Sequence, residues 1–172
     1  MADPLSAADL QDAFERLVEA LHKLGTAHPI ALLGIANGGI PIARMLAEAL
    51  DGEVPCGTLN ALFYRDDVGR QPIPADFQST SFDFPVDDAH IVLVDDVFAT
   101  GRTIRAALNE LFDHGRPASV HLAVLIDAKR PILPIQPDFV GLHFPCPGGQ
   151  LIKVHLDPAD PTAHTAVLRR HT

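Results

Sequence analysis

Two adjacent carboxylates, Asp95 and Asp96, follow the apolar run Ile91-Val92-Leu93-Val94, and the turn Thr100-Gly101-Arg102-Thr103 comes next. A buried strand ending in acids delivers them to the carboxyl edge of a sheet, where ligands bind in open α/β folds. A small, hydroxyl-bearing turn that opens a helix gathers backbone N–H groups at the helix N-terminus. That is a place for an anion, improved here by the Thr100 and Thr103 hydroxyls. Two carboxylates beside a phosphate cradle suit a phosphorylated sugar. They can accept hydrogen bonds from vicinal ribose hydroxyls, or hold Mg²⁺ through water. A plain strand-turn-helix with solvated acids accounts for the acids but not for the Thr-Gly-Arg-Thr turn at its offset. The Gly-x-x-x-x-Gly-Lys pattern of a P-loop is absent.

The surrounding elements can be read from periodicity and turn chemistry. Leu10, Phe14, Leu17, Val18 and Leu21 recur at helical spacing, which predicts a helix over 6–24 with Ser6 as N-cap, Asp9 in the first turn and Gly25 as the stop. Ile30 to Ile35 reads as a strand buried on both faces. The turn Ala36-Asn37-Gly38-Gly39 follows, then a helix over 40–50. Further strands are expected over 57–64, 91–94, 120–126, 139–144 and 151–156, with Asp95-Asp96 ending the second of these. A helix over 103–113, closed by Gly115, follows the Thr-Gly-Arg-Thr turn. Residues 65–81 show no period and read as a long loop; a loop of that length in a small domain is usually functional. Strands alternating with helices predict one α/β domain over 1–172, with a parallel sheet of about five strands flanked by helices on both faces.

Composition narrows the function. The chain has 172 residues, enough for one core, with 47% hydrophobic and 20% charged residues. Its 13 Lys+Arg against 22 Asp+Glu give a net charge of −9, which disfavours a general nucleic-acid coat. Cys56 and Cys146 are far apart and outside any C-x-x-C pair, so neither a disulfide framework nor a zinc knuckle organises the fold. No apolar run reaches the roughly 20 residues needed to cross a bilayer. Met1-Ala2-Asp3-Pro4 does not begin a signal peptide, and the expected address is cytoplasmic. The nine histidines form no H-x-x-x-H site.

The stretch from Val94 to Thr103 resembles the motif by which type I phosphoribosyltransferases bind 5-phosphoribosyl-1-diphosphate (PRPP). The residues that follow narrow the likeness. Val94-Asp95-Asp96-Val97, the run from Thr100 to Leu108 and Gly115-Arg116-Pro117 are similar to the PyrR family, pyrimidine operon regulators that are also uracil phosphoribosyltransferases. Phe63-Tyr64-Arg65-Asp66-Asp67, Leu133-Pro134-Ile135 and Asp138-Phe139-Val140-Gly141 carry the same likeness in the same order.

The resemblance implies a type I phosphoribosyltransferase-like fold with a small hood, built from the C-terminal segment with or without the N-terminus. Asp95 and Asp96 would hold the ribose hydroxyls, and Ala99, Thr100, Gly101, Arg102 and Thr103 the 5-phosphate. Ala36, Asn37, Gly38 and Gly39 stand at the pyrophosphate loop, where glycines let the backbone approach a diphosphate. Arg65 is either a catalytic residue on the closing loop or a surface arginine paired to Asp66 or Asp67. Lys129, Phe139 and Val140 are base-binding candidates; for Phe139 the alternative is ordinary strand core, and for Lys129 a solvated basic pair with Arg130.

Departures from the pattern matter as well. Ala99 replaces the aspartate of purine-using relatives, which argues for a pyrimidine. Cys146 and Asn60 also stand where an aspartate is expected. The implied reaction joins uracil and PRPP to give UMP and diphosphate, with Mg²⁺ held mainly by PRPP and water near Asp95 and Asp96. An mRNA leader is the implied regulatory partner, and the implied assembly is a homo-oligomer, a dimer or higher. The alternatives are a non-catalytic PRPP or UMP sensor, or an RNA-binding regulator.

Overall fold

The structure, a computed structural model, describes residues 5–51, 53–62, 79–146 and 150–170. The first helix, α1 (Ala7–Ala27), is opened by a capping box. The Asp9 N–H donates to Ser6 Oγ at 3.1 Å, and the Ser6 N–H donates to Asp9 Oδ2 at 2.9 Å. Its buried stripe is Leu10, Ala13, Phe14, Leu17 and Leu21, the helical spacing of one face. The helix does not stop at Gly25. It runs to Ala27, because Pro29 disfavours helical backbone at His28, which sits extended at φ −147°, ψ 142°.

Strand β1 (Ile30–Ile35) is buried along its whole length. It leads directly into α2 (Ala36–Ala49), then β2 (Cys56–Leu59), β3 (His90–Phe98), α3 (Arg102–Asp113), β4 (Ser119–Asp127) and β5 (Phe139–His143). Five parallel strands lie in the order β2-β1-β3-β4-β5. The chain leaves β1 toward β2 on one side and returns to β3 on the other. The carboxyl ends of β1 and β3 therefore flank the switch point, where open α/β sheets bind ligands.

Successive strand residues alternate between two cores. Leu32, Val92 and Val94 face a cluster with Leu17 of α1 and Leu46 of α2. Leu33, Ile91 and Leu93 face another with Ile104 and Leu111 of α3. Helices α1 and α2 thus cover one sheet face and α3 the other.

The ends of two strands differ most from the sequence reading. Strand β3 does not end at Asp95-Asp96; it continues to Phe98 because β4 is long enough to pair Val97 with Ile126 and Phe98 with Asp127. The strand expected over 57–64 ends at Leu59 in the described chain, while Phe63, Tyr64 and all but the last residues of the expected loop lie outside the described residues. Ser81 lies antiparallel to Thr58 along the outer edge of β2.

Past β5 the chain forms an antiparallel ribbon, β6 (Gln150–His155) and β7 (Thr165–Arg170). The sequence reading missed β7, whose Ala-Val-Leu run shows no clean alternation. The turn between them is fastened to α1. The Asp157 N–H donates to Nδ1 of buried His164 at 3.1 Å, so Nε2 carries the proton and donates to Gln11 Oε1 at 3.1 Å. The Arg16 guanidinium of α1 donates to the Gly141 carbonyl of β5 at 2.9 Å.

Leu93 is 1% exposed in the central strand. Leu93→Ala should cost about 3 kcal/mol, read as a lowered urea midpoint with an unchanged slope.

Candidate active site

Strand β3 places Asp95 and Asp96 at the carboxyl edge. Asp95 is 6% exposed. Its Oδ1 accepts the Asp96 N–H at 2.9 Å, and Asp96 Oδ1 accepts the Val97 N–H at 2.8 Å. Burial drives the Asp95 pKa well up, and the Asp96 charge and hydrogen bond add to it. Burial also raises Asp96, against the hydrogen bonds it accepts and the charge of Lys153. The pair is largely desolvated, and its carboxyl oxygens can accept hydrogen bonds from hydroxyl donors.

Two helix N-termini converge on this pair. Helix α3 starts at Gly101, whose φ of 89° is a left-handed conformation that a side chain would strain. A Cβ there would also sit 3.4 Å from Leu133 Cβ. The Thr100 hydroxyl accepts the Arg102 N–H at a long 3.4 Å, and Arg102 and Thr103 are exposed. Helix α2 starts with Ala36 at φ 49°. The sequence reading makes Ala36 to Gly39 a turn before the helix, but they form its first turn. A Cβ on Gly38 would fall on the Asp96 carboxylate, and one on Gly39 on the Val94 carbonyl oxygen. Neither N-cap residue, Ile35 or Gly101, supplies a side-chain hydrogen bond to its helix. The positive dipole ends favour anions on both sides of the carboxyl pair.

The remaining expected site residues divide. Lys129, at φ 53°, lies just past β4 at the same edge. Its N–H donates to Asp127 Oδ1 at 2.8 Å and its ammonium lies 3.1 Å from Asp127 Oδ2. Burial opposes ionisation of Asp127, but Lys129 and His143 outweigh it and hold the carboxyl below its ordinary value. Phe139 and Val140 lie on the same rungs of the sheet as Val94 and Asp95, through Ala123 and Val124. Phe139 packs into the α1 cluster and Val140 into the α3 cluster. Arg65 lies outside the described residues.

Asp127 is new at this edge, and its place at the end of a buried strand could have shown it.

The phosphoribosyl transferase domain family matches residues 5–145. "Bifunctional protein PyrR" of Acetivibrio thermocellus is 40% identical over 164 residues, covering 92% of this chain and 89% of that protein. The chain belongs to the PyrR family of phosphoribosyltransferases. The PyrR protein of Pseudomonas paraeruginosa is 53% identical over 109 residues, which span 63% of this chain and 64% of that relative. In fold, the chain is similar to a hypoxanthine-guanine phosphoribosyltransferase from Bacillus anthracis, with TM-score 0.65, 18% identity and 84% of each chain covered. It is likewise similar to the purine phosphoribosyltransferase of Pyrococcus horikoshii, with TM-score 0.61, 21% identity, 82% of this chain and 86% of that chain covered. This PyrR family member shares the parallel sheet of those enzymes.

Two predictions follow from the geometry. Above the ordinary value of 3.8 the unfolded chain releases a proton that the folded chain keeps on Asp95, so stability falls as pH rises through that window. Asp95→Asn should flatten this fall and raise stability at neutral pH by about 1 kcal/mol. A lower melting temperature at pH 7.5 would refute the burial argument. Gly38→Ala should displace Asp96 and weaken PRPP binding by roughly tenfold or more with the fold retained, measured by titration calorimetry and circular dichroism.

Proposed function

We propose that this PyrR family member transfers the phosphoribosyl group of PRPP to N1 of uracil, giving UMP and diphosphate. One observation carries the reading: a carboxyl pair, Asp95 buried and Asp96 half-buried, set between two helix N-termini whose N-cap residues supply no side-chain hydrogen bond. Such a site matches a ligand with hydroxyls in its middle and an anion at each end. In this reading Asp95 and Asp96 accept the ribose hydroxyls, the Thr100–Thr103 segment takes the 5-phosphate, and the first turn of α2 takes the diphosphate. Ala99 leaves out the carboxylate that a purine ring would use, and the β6–β7 ribbon serves as the hood.

In the reaction, the bond from the anomeric carbon to the diphosphate oxygen breaks and its electron pair leaves with the diphosphate. N1 of the base forms the new bond and loses its proton. Positive charge develops on the sugar ring, and the chain's contribution is to position the reactants and exclude water. No protein nucleophile is required.

Among the described residues no group of three or more metal-ligating side chains gathers. Two carboxyl groups fit an ion that arrives on the diphosphate and keeps its waters, so Asp95 and Asp96 are the residues that would hold magnesium. When bound, it would neutralise charge building on the leaving diphosphate.

The placement of basic residues supports transfer as the primary activity over RNA binding. Arg16 and Arg44 stand on α1 and α2, on one sheet face, whereas Arg105 stands on α3, on the other. Arg116 is tied to the Phe112 and Gly115 carbonyls at 2.7 and 3.1 Å. These arginines do not share a face, and the chain carries −9.

The test is product formation from PRPP, Mg²⁺ and a base. UMP and diphosphate should form with uracil but not with hypoxanthine or guanine. Clear PRPP and UMP binding without turnover on any base would instead leave a sensor or regulator.

A further inference from the structure

The residue that opens α3 does little to hold its own conformation. Gly101 is left-handed, and a glycine leaves that region as readily as it enters it. The Thr100 hydroxyl offers the Arg102 N–H only a long bond of 3.4 Å. A phosphate cradle made of backbone N–H groups works best when their directions are set before the ligand arrives.

The connection from β4 to β5 sets them. Beyond β4 it runs beside the phosphate segment. The Ala128 N–H donates to the Phe98 carbonyl at 2.8 Å, and the Ile132 N–H donates to the Thr100 carbonyl at 3.1 Å. The second bond fixes the peptide that joins Thr100 to Gly101. That peptide is planar and trans, so its Gly101 N–H points away from the connection.

The next three residues close on Gly101 itself. The Ile135 N–H donates to the Leu133 carbonyl at 2.8 Å, a three-residue turn with Pro134 at its centre. The proline ring holds φ at about −65°, close to what such a turn requires, so the turn is stiff in itself. Leu133 and Ile135 stand side by side against Gly101. Leu133 Cβ, Ile135 Cβ and Ile135 Cδ1 lie 3.4, 3.7 and 3.8 Å from the point a Cβ on Gly101 would occupy. Ile135 also packs into the α3 cluster. Asp138 ties the far end of the connection to β4. Its N–H donates to the Leu122 carbonyl at 2.9 Å, and its Oδ2 accepts the Leu122 N–H at 2.8 Å.

We propose that the Leu133-Pro134-Ile135 turn positions the 5-phosphate cradle, holding Gly101 so that the amides at the start of α3 face the ligand. The proposal rests on PRPP being the substrate, with its 5-phosphate on the Thr100–Thr103 segment. UMP carries the same 5-phosphate and free diphosphate does not, so the two ligands separate this role from a general loosening of the site.

The experiment compares wild type, Leu133→Ala, Leu133→Met, Pro134→Gly and Ile132→Ala. It measures KM for PRPP, UMP affinity by calorimetry, inhibition by diphosphate, the phosphorus NMR resonance of bound UMP and thermal melting. Leu133→Ala and Pro134→Gly should each weaken PRPP and UMP by the same factor, about tenfold, and move the bound UMP resonance toward that of free UMP. Diphosphate inhibition should stay unchanged and melting should fall by only a few degrees, because Pro134 is exposed and Leu133 half-buried. Leu133→Met should recover most of the loss. Ile132 gives only its N–H to the phosphate segment, and its side chain is 60% exposed, so Ile132→Ala should change none of these readouts. No loss with Leu133→Ala and Pro134→Gly, an equal effect of Ile132→Ala, or an equal weakening of diphosphate would each overturn the assignment and leave the substrate reading standing. If wild type binds neither PRPP nor UMP, the substrate reading falls and takes this role with it.

Discussion

Two adjacent carboxyl groups toward the end of a central strand, one buried and one half-buried, set the terms for the rest of the molecule. Taking such groups out of water is unfavourable, and burial raises both pKa values. The surrounding chain must hold them there against their preference for water. It does so with strands paired on both sides of β3 and with apolar clusters on both faces. Catalytic usefulness and structural cost thus reside in the same two side chains, which is the usual trade between activity and stability.

The glycines show how closely the backbone is drawn around that pair. Gly38 and Gly39 allow α2 to start where a methyl group would overlap Asp96 and the Val94 carbonyl. Gly101 lets α3 begin with a left-handed residue. These positions are fixed by contact and conformation, and they bring helix ends to the edge without using the side-chain caps that helices ordinarily employ. Helix α1 does have its capping box, and its role is packing.

Much of this was legible beforehand, for identifiable reasons. Strand β1 matched its expected limits because a strand buried on both faces is a continuous apolar run. The acids and the Thr-Gly-Arg-Thr turn were legible because their residue types carry the chemistry themselves. The end of α1 was misread because Gly25 is a stop signal only in some contexts, whereas Pro29 constrains its predecessor sterically. The end of β3 was misread because strand length depends on the partner strand.

The pairing of Gln11 with His164 spans 153 residues, and Arg16 with Gly141 spans 125. Closing loops of that size comes late in folding, after locally paired elements have formed. During synthesis, α1 leaves the ribosome long before its ribbon partner exists. The five-stranded sheet can assemble with the site still uncovered on the ribbon side. Closure of the site is in this sense the last chapter of the chain's own assembly. The same long-range fastenings are where a folded molecule can part locally while its sheet stays intact.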